Sequence, residues 1–135
     1  MKRQVHFLFP CLLVLLTVLT ACEDRGDEHL FCDVTLMTSL PDGRSIVRME
    51  ADGSLAGTFL RNVNNRQEDD FPLFVNNRGT VRVQKGVYLI SFDARATFSD
   101  GTTARVRSSQ HANPEKAVTL LNDTEAVVLQ LTLLN

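Results

Sequence analysis

The chain is poor in the residue types from which several common binding sites are built. Its 135 residues include no tryptophan, one tyrosine and three cysteines. Sugar platforms rely mostly on Trp and Tyr rings, so this composition disfavours polysaccharide capture and leaves only hydrogen-bonded sugar sites open. The single tyrosine, Tyr88, is in phase with Ile90 and Phe92, which predicts a core position. The net charge is −2, so the electrostatic requirement for binding nucleic acid is not met.

Enzyme signatures are also missing from the sequence. It contains no Gly-x-Ser-x-Gly, no His-Glu-x-x-His, no phosphate-binding glycine loop and no paired cysteines. His29 and His111 are too far apart along the chain to indicate a pair of metal ligands. We therefore predict a protein with no enzymatic activity, no catalytic residues, no metal and no cofactor. A cleft joining His111 to a carboxylate would instead favour an enzyme.

The beginning of the chain has the anatomy of a secretory signal peptide. Lys2 and Arg3 precede an apolar run from Phe7 to Leu19. That run has about 13 residues, fewer than the ~20 that a membrane-spanning helix needs. Small residues and an abruptly acidic stretch follow it. This order of segments predicts a cleaved signal peptide over residues 1–21.

The segment Leu19-Thr20-Ala21-Cys22 resembles the lipobox of bacterial lipoproteins. The resemblance implies cleavage between Ala21 and Cys22, a diacylglyceryl group on the Cys22 thiol and an acyl group, typically palmitate, on its new amine. Two or three acyl chains would anchor the protein permanently, because each buried CH₂ contributes ~0.8 kcal/mol. The alternatives are an uncleaved anchor helix, disfavoured by the short apolar run, and an ordinary secretion signal, disfavoured by Cys22.

Residues 22–29 are predicted to form a flexible acidic tether, because charged segments of low hydrophobicity do not pack. Its acidic side chains are Glu23, Asp24, Asp27 and Glu28. They resemble the export tag of surface lipoproteins of Bacteroidetes, which implies a lipid-anchored protein exposed on the outer membrane. In enteric bacteria, acidic residues after the cysteine favour inner-membrane retention. That alternative and a plain solvated linker both stay open.

Two further groups could carry chemistry but are predicted to be structural. Cys32 would be the sole cysteine left after lipidation of Cys22 and loss of Cys11, so no disulfide is expected within the domain. The alternation around Cys32 predicts a buried strand position, where cysteine acts as a small hydrophobe. The acidic run Glu68-Asp69-Asp70 could form a weak Ca²⁺ site, but it lacks EF-hand spacing, so a solvated loop is expected.

From Leu30 onward the sequence alternates between apolar and polar residues and is interrupted by turns. Period-two alternation marks a strand over Cys32 to Met37 and a long strand from Tyr88 to Phe98, which Asp100-Gly101 turns back on itself. A final strand is predicted from Ala126 to Leu134. These signals predict an all-β fold, a single antiparallel β-sandwich of about seven strands over residues 30–135.

The pattern of these pieces resembles a prealbumin-like (transthyretin-like) sandwich. Five segments carry the resemblance: Val34-Thr35-Leu36, Pro41-Asp42-Gly43, residues 81–94 with the Gly-x-Tyr pattern of Gly86-Val87-Tyr88, then Val118-Thr119-Leu120 and residues 127–131. This sandwich occurs in fimbrial and anchor lipoproteins of Bacteroidetes and in carboxypeptidase regulatory-like domains. The chain is short for a fimbrial anchor subunit, which usually has two such domains.

Taken with the anchor, the fold leads to one predicted function and one alternative. The leading hypothesis is a non-enzymatic, lipid-anchored cell-envelope protein that presents a β-sandwich surface to a protein partner, as in an adhesin or fimbrial assembly. The alternative is a small-ligand or glycan-binding accessory lipoprotein of an outer-membrane uptake system. The last strand either closes its own sandwich or is donated to a neighbour. An unpaired sheet edge near it would favour assembly, and a ring of exposed aromatic side chains would favour glycan binding.

Overall fold

The computed structural model describes residues 28–135, so the predicted signal peptide, the lipobox and the tether up to Asp27 lie outside the described residues. The described chain is all-β, with eleven strands and two short 3-10 turns at Glu28–Leu30 and Pro114–Lys116. The strands are β1 (Phe31–Ser39), β2 (Ile46–Ala51), β3 (Phe59–Asn62), β4 (Glu68–Asp69), β5 (Phe74–Val75), β6 (Arg78–Gln84), β7 (Gly86–Phe98), β8 (Thr103–His111), β9 (Val118–Leu120), β10 (Thr124–Gln130) and β11 (Thr132–Leu134). No helix within this range is long and apolar enough to cross a membrane.

The thirteen-residue strand β7 is the centre of one half of the sheet. Its even-numbered side chains point into the core, and Ile90, Phe92 and Ala96 are fully buried. It pairs with β8 and β9 on one side and with β2 and β3 on the other, all antiparallel. The predicted Asp100-Gly101 turn into β8 is confirmed, and Gly101 adopts a φ of +82° that few other residues tolerate.

The other half of the sheet is built around β1. This strand is antiparallel to β6 and parallel to β10, which it follows from Asp33↔Thr124 to Ser39↔Gln130. The short strand β5 pairs with both β2 and β6 and so connects the two halves. Asn76 and Asn77 make the tight β5–β6 turn with φ of 51° and 61°. The Asn77 side chain also accepts a hydrogen bond from the Ile46 N–H at 2.8 Å, which fastens this turn to β2.

The last strand predicted from the sequence is divided between the two halves. Its first part, β10, lies beside β1, and after the buried Leu131 its second part, β11, pairs antiparallel with β8. Val127, Leu129 and Leu131 face the core as the alternation predicted. The strand is therefore seated in its own sheet rather than left free for donation.

Three features of the sheet differ from the sequence-based expectation. There are eleven strands rather than about seven, because ladders of two or three residues such as β4, β5 and β11 are too short for a periodic pattern. The sheet is mixed rather than purely antiparallel, because β1 and β10 run parallel. The alternation in β2 is also broken by an irregularity between Ile46 and Arg48, which lets both Ile46 and Met49 reach the core.

The inward faces of both halves meet in one hydrophobic core. Phe74 of the connecting strand lies 5.7 Å from Phe92 of β7 between ring centroids, and Phe71 lies 5.0 Å from the same ring. Cys32 and Leu129 from the other half are fully buried in the same cluster. The expected core role of Cys32 is thus confirmed.

Tyr88 is also a core residue, as predicted. Its buried hydroxyl lies at the centre of a hydrogen-bond network. Its hydroxyl donates to the Gln84 carbonyl at 2.7 Å and accepts from Asn62 Nδ2 at 3.2 Å. Burial raises the pKa of Tyr88 to about 12, so the hydroxyl stays a hydrogen-bond donor. Gly86 makes room for this arrangement, because an added Cβ would lie 2.7 Å from the Asn62 amide nitrogen.

Candidate functional site

The outer faces of the two halves differ in character. On the β10–β1–β6 half, the central outward side chains are small or uncharged, and we call this surface the neutral face. Its central residues are Thr35, Met37, Thr80, Thr124, Ala126 and Val128. Charge enters only at its margins, where Arg82 lies 3.6 Å from Asp33 and where Arg78 stands at the far end. The neutral face is thus rich in threonine and free of central charges.

On the β2–β7–β8 half the outward side chains are mostly ionised, and we call this surface the charged face. Its residues are Arg48, Glu50, Asp93, Arg95, Arg105 and Arg107. Asp93 is 14% exposed and accepts two hydrogen bonds from Arg107, at 2.6 Å from Nε and 2.7 Å from Nη2. These bonds hold the pKa of the Asp93 carboxyl below its usual value. Arg105 approaches Asp93 less closely, at 3.8 Å.

A groove of about 360 Å³ opens on the charged face beside the loop that follows β2. Its lining includes Ala51 and Ala94, which lie opposite each other on β2 and β7, and Leu55 of the loop. Carboxylates and guanidinium groups line the rest, namely Glu50, Asp52, Asp93, Arg95 and Arg105. The groove is therefore polar and contains charges of both signs.

The free edge of β10 borders the neutral face. The Asp33 N–H donates to the Asp123 carbonyl and the Leu131 N–H donates to the Ser39 carbonyl, both at 2.8 Å. In a parallel ladder this phase directs the odd-numbered residues of β10 toward β1 and the even-numbered ones outward. The N–H and C=O groups of Ala126 and Val128 therefore point away from β1, where no strand of the described chain pairs with them.

The edge of β10 carries few of the features by which proteins usually block edge-to-edge pairing. Such edges are normally interrupted by proline, lysine or a bulge. The seven residues of β10, Thr-Glu-Ala-Val-Val-Leu-Gln, contain none of these, and Glu125 is their sole charge. Val128 is 46% exposed on the outward side. This is the unpaired sheet edge near the last strand that would favour assembly.

The acidic run Glu68-Asp69-Asp70 does not converge on a metal site. Glu68 and Asp69 form the short strand β4 rather than the expected loop, so their side chains point in opposite directions. Glu68 pairs with Arg61 at 2.6 Å, and Asp69 lies 3.3 Å from the Tyr88 hydroxyl. Over residues 28–135, no group of three or more His, Cys, Asp or Glu side chains is placed to hold a metal ion.

Two further candidate residues, Cys32 and His111, hold structural positions. Burial raises the pKa of the Cys32 thiol, which keeps it protonated and poorly nucleophilic. His111 Nδ1 lies 2.7 Å from the Lys116 carbonyl oxygen, a contact that closes the loop after β8. The four lipobox residues and most of the acidic export tag precede the described residues, and Glu28 begins the first 3-10 turn.

The opposed arginines of the charged face were missed from the sequence, although a local signal for them exists. The Asp100-Gly101 turn sets the β7–β8 register, in which Thr97 faces Thr103 and Arg95 faces Arg105. Counting outward from the turn would therefore have paired the two arginines. No comparable signal exists for the free edge of β10, because its position depends on pairing with the distant strand β1.

Comparison of the chain with protein-family models, with curated proteins and with solved structures finds no match.

Proposed function

We propose that the protein is a non-enzymatic lipoprotein of the cell envelope that binds an extended segment of a protein partner along the free edge of β10. The observation that carries this proposal is that edge, with outward backbone groups at Thr124, Ala126, Val128 and Gln130. An added strand would satisfy these groups with main-chain hydrogen bonds, and every second side chain of that strand would lie on the neutral face. The same proposal includes a prealbumin-like fold and a role in an adhesin or fimbrial assembly.

The anchor in this proposal is Cys22, which would carry the diacylglyceryl and N-acyl groups on the outer membrane. The tether of residues 22–29 would hold β1 and β10 with their N-terminal ends toward the membrane, since both strands start on the same side of the sheet. Surface exposure is supported by the acidic residues after Cys22. The glycan-binding alternative has less support, because the large apolar side chains exposed in the described chain are all aliphatic.

The anchor is tested by fractionation and by mass spectrometry of the mature N-terminus. Wild-type protein is expected in the outer-membrane fraction, with the mass of a lipidated Cys22, and to be cut by protease added to intact cells. The Cys22→Ala variant should lack the lipid mass. Unchanged membrane fractionation of the variant would refute the lipid anchor, and protease protection of the wild type would refute the surface location.

The edge is tested by photo-crosslinking in intact cells. A photoreactive residue at Ala126, on the free edge, should give one discrete adduct, whereas the same residue at Thr103, on the charged face, should not. Val128→Pro should abolish the Ala126 adduct, because it removes an outward N–H while leaving the bonds from β10 to β1 in place. Val128→Lys gives a second test that does not alter the backbone.

The outcomes separate the possible occupants of the edge. An adduct that persists in both Val128 variants, or one that also forms from Thr103, would refute strand addition. An adduct with twice the mass of the protein would show a second copy at the edge and replace the proposed partner by self-association. Unchanged thermal unfolding of the two Val128 variants is the control for an intact fold.

A further inference from the structure

Arg95 and Arg105 form an unusual pair on the charged face. They lie directly opposite each other on β7 and β8, and like charges at such positions destabilise a sheet. Arg95 forms no ion pair with any other residue of the described chain, and Arg105 reaches Asp93 only at 3.8 Å. Both guanidinium groups therefore keep hydrogen-bond donors available on an exposed surface, at a cost to the fold.

The two arginines lie on one side of the groove and free carboxylates lie on the other. Glu50 is opposite Arg95 in the sheet register, yet the two side chains are not in contact as an ion pair. Asp52 accepts from Ser54 through Oδ1, which leaves Oδ2 for the groove. Arg95 on β7 is rooted one strand spacing from β2, about 5 Å, and Arg105 on β8 two spacings, about 10 Å. The groove thus has free negative charge at the β2 end and two guanidinium groups toward β8, while the third lining carboxylate, Asp93, is held by Arg107.

This polarity restricts the chemistry of a ligand. A simple anion would be attracted by the arginines but repelled by three carboxylates in the same lining. A sugar would find no aromatic side chain there on which to stack. A zwitterion meets both ends, because arginine binds carboxylates through a planar pair of N–H donors and carboxylates bind ammonium groups.

The separation of the charged groups limits the length of the ligand. An extended dipeptide spans about 7 Å between its ends, which matches the distance of about 7 Å from β2 to the midpoint between β7 and β8. We infer that the groove binds a short zwitterionic peptide of about two residues, with its carboxylate on Arg95 and Arg105 and its ammonium group on Glu50 and Asp52. This site is independent of the β10 edge and lies on the opposite half of the sheet.

Calorimetric titration of the intact lipoprotein in detergent tests the inference, with L-alanyl-L-alanine as the probe. Three comparison ligands each remove one feature: its C-terminal amide lacks the carboxylate, N-acetyl-L-alanyl-L-alanine lacks the ammonium group, and glucuronate replaces the peptide by an acidic sugar. The dipeptide should bind at least tenfold more tightly than any of these. Equal affinity for the N-acetylated peptide would show a plain anion site, and preference for glucuronate would show a sugar site. Either result overturns the inference, as does no binding of the dipeptide.

Variants locate the site. Arg95→Gln and Glu50→Gln should each weaken dipeptide binding at least tenfold, and each should do so without changing thermal unfolding. Arg82→Gln is the matched control, because Arg82 is a half-exposed strand arginine on the neutral face. Dipeptide affinity that is unchanged by Arg95→Gln, or reduced equally by Arg82→Gln, would contradict the assignment.

Discussion

The neutral and charged faces are outward surfaces of the same mixed sheet, yet they leave different groups unsatisfied. At the border of the neutral face the free groups are backbone N–H and C=O groups of β10, and the side chains around them are small. On the charged face the backbone of β7 is paired on both sides, and the free groups are the guanidiniums of Arg48 and Arg95. A free backbone edge suits an extended chain, whereas free side-chain charges suit a small ionic ligand.

The ion pairs of the two faces differ in their exposure to solvent and in their geometry. Asp33 and Arg82 on the neutral face are about half exposed and 3.6 Å apart, so solvent screens them. Asp93 on the charged face is largely buried and is held by both nitrogens of a guanidinium fork. The Asp93–Arg107 pair is therefore expected to contribute more to stability than the Asp33–Arg82 pair.

The largest effect is expected where the neutral face is attached to the core. Leu129 of β10 is fully buried, whereas its neighbour Val128 is 46% exposed. Leu129→Ala should lower the free energy of unfolding by about 3 kcal/mol, through lost burial and a residual cavity. Val128→Ala should cost about 0.5 kcal/mol or less.

Urea denaturation of the two variants measures the difference. Equal, small effects of both substitutions would mean that β10 does not pack in its own sheet. The last strand would then again be a candidate for donation to a neighbour.

A smaller effect should separate the ion pairs of the two faces. Asp93→Asn should cost about 1–2 kcal/mol near neutral pH, because it removes the charged acceptor of two hydrogen bonds from Arg107. Asp33→Asn should cost about 0.5 kcal/mol or less, as exposed pairs do. Thermal unfolding of both variants beside the wild type gives the comparison.

The dependence on pH gives a second measurement of the same pair. Because its folded pKa is lowered, the Asp93 carboxylate stabilises the protein above the unfolded pKa of about 3.9, and this stability is lost as the pH falls through the folded pKa. The gap between wild type and Asp93→Asn should therefore narrow below about pH 4. A gap of constant size from pH 7 to pH 3 would show that the Asp93 charge is not its source.

The part of the fold that could be predicted was the part fixed by local sequence. Alternation in β7 and the Asp100-Gly101 turn determine the β7–β8 hairpin from the turn back to Phe92, including the opposed arginines once the register is counted, but not the register shift between Ile90 and Phe92. The Asn76-Asn77 turn was not predicted, although asparagine tolerates the positive φ that such a turn needs. Its anchoring to Ile46 could not be predicted, since that contact joins residues 31 positions apart.

Sites that depend on the order of strands in the sheet could not be predicted from the sequence. The free edge exists because β10 takes the outer place beside β1, nearly a hundred residues earlier in the chain. Periodicity identifies which side of β10 is apolar but not the strand with which β10 pairs. The groove similarly needs the loop after β2 to lie against β7, a contact that a hydrogen bond from the Asp52 N–H to the Asp93 carbonyl at 2.8 Å secures.

The smallest effect concerns the interior of residues 28–135, where each half of the sheet buries one hydroxyl that lacks a hydrogen-bond partner. Thr38 Oγ1 of β1 and Ser108 Oγ of β8 have no hydrogen-bond partner within the described chain. A buried hydroxyl without a partner costs free energy, and replacing it by an apolar group of the same shape removes that cost. Thr38→Val, which preserves shape, should raise the free energy of unfolding by up to about 1 kcal/mol. Ser108→Ala should gain less, because it shortens the side chain beside Phe92. Urea midpoints at an unchanged m-value would establish both gains, whereas a loss of stability in Thr38→Val would show that a buried water bonds to this hydroxyl.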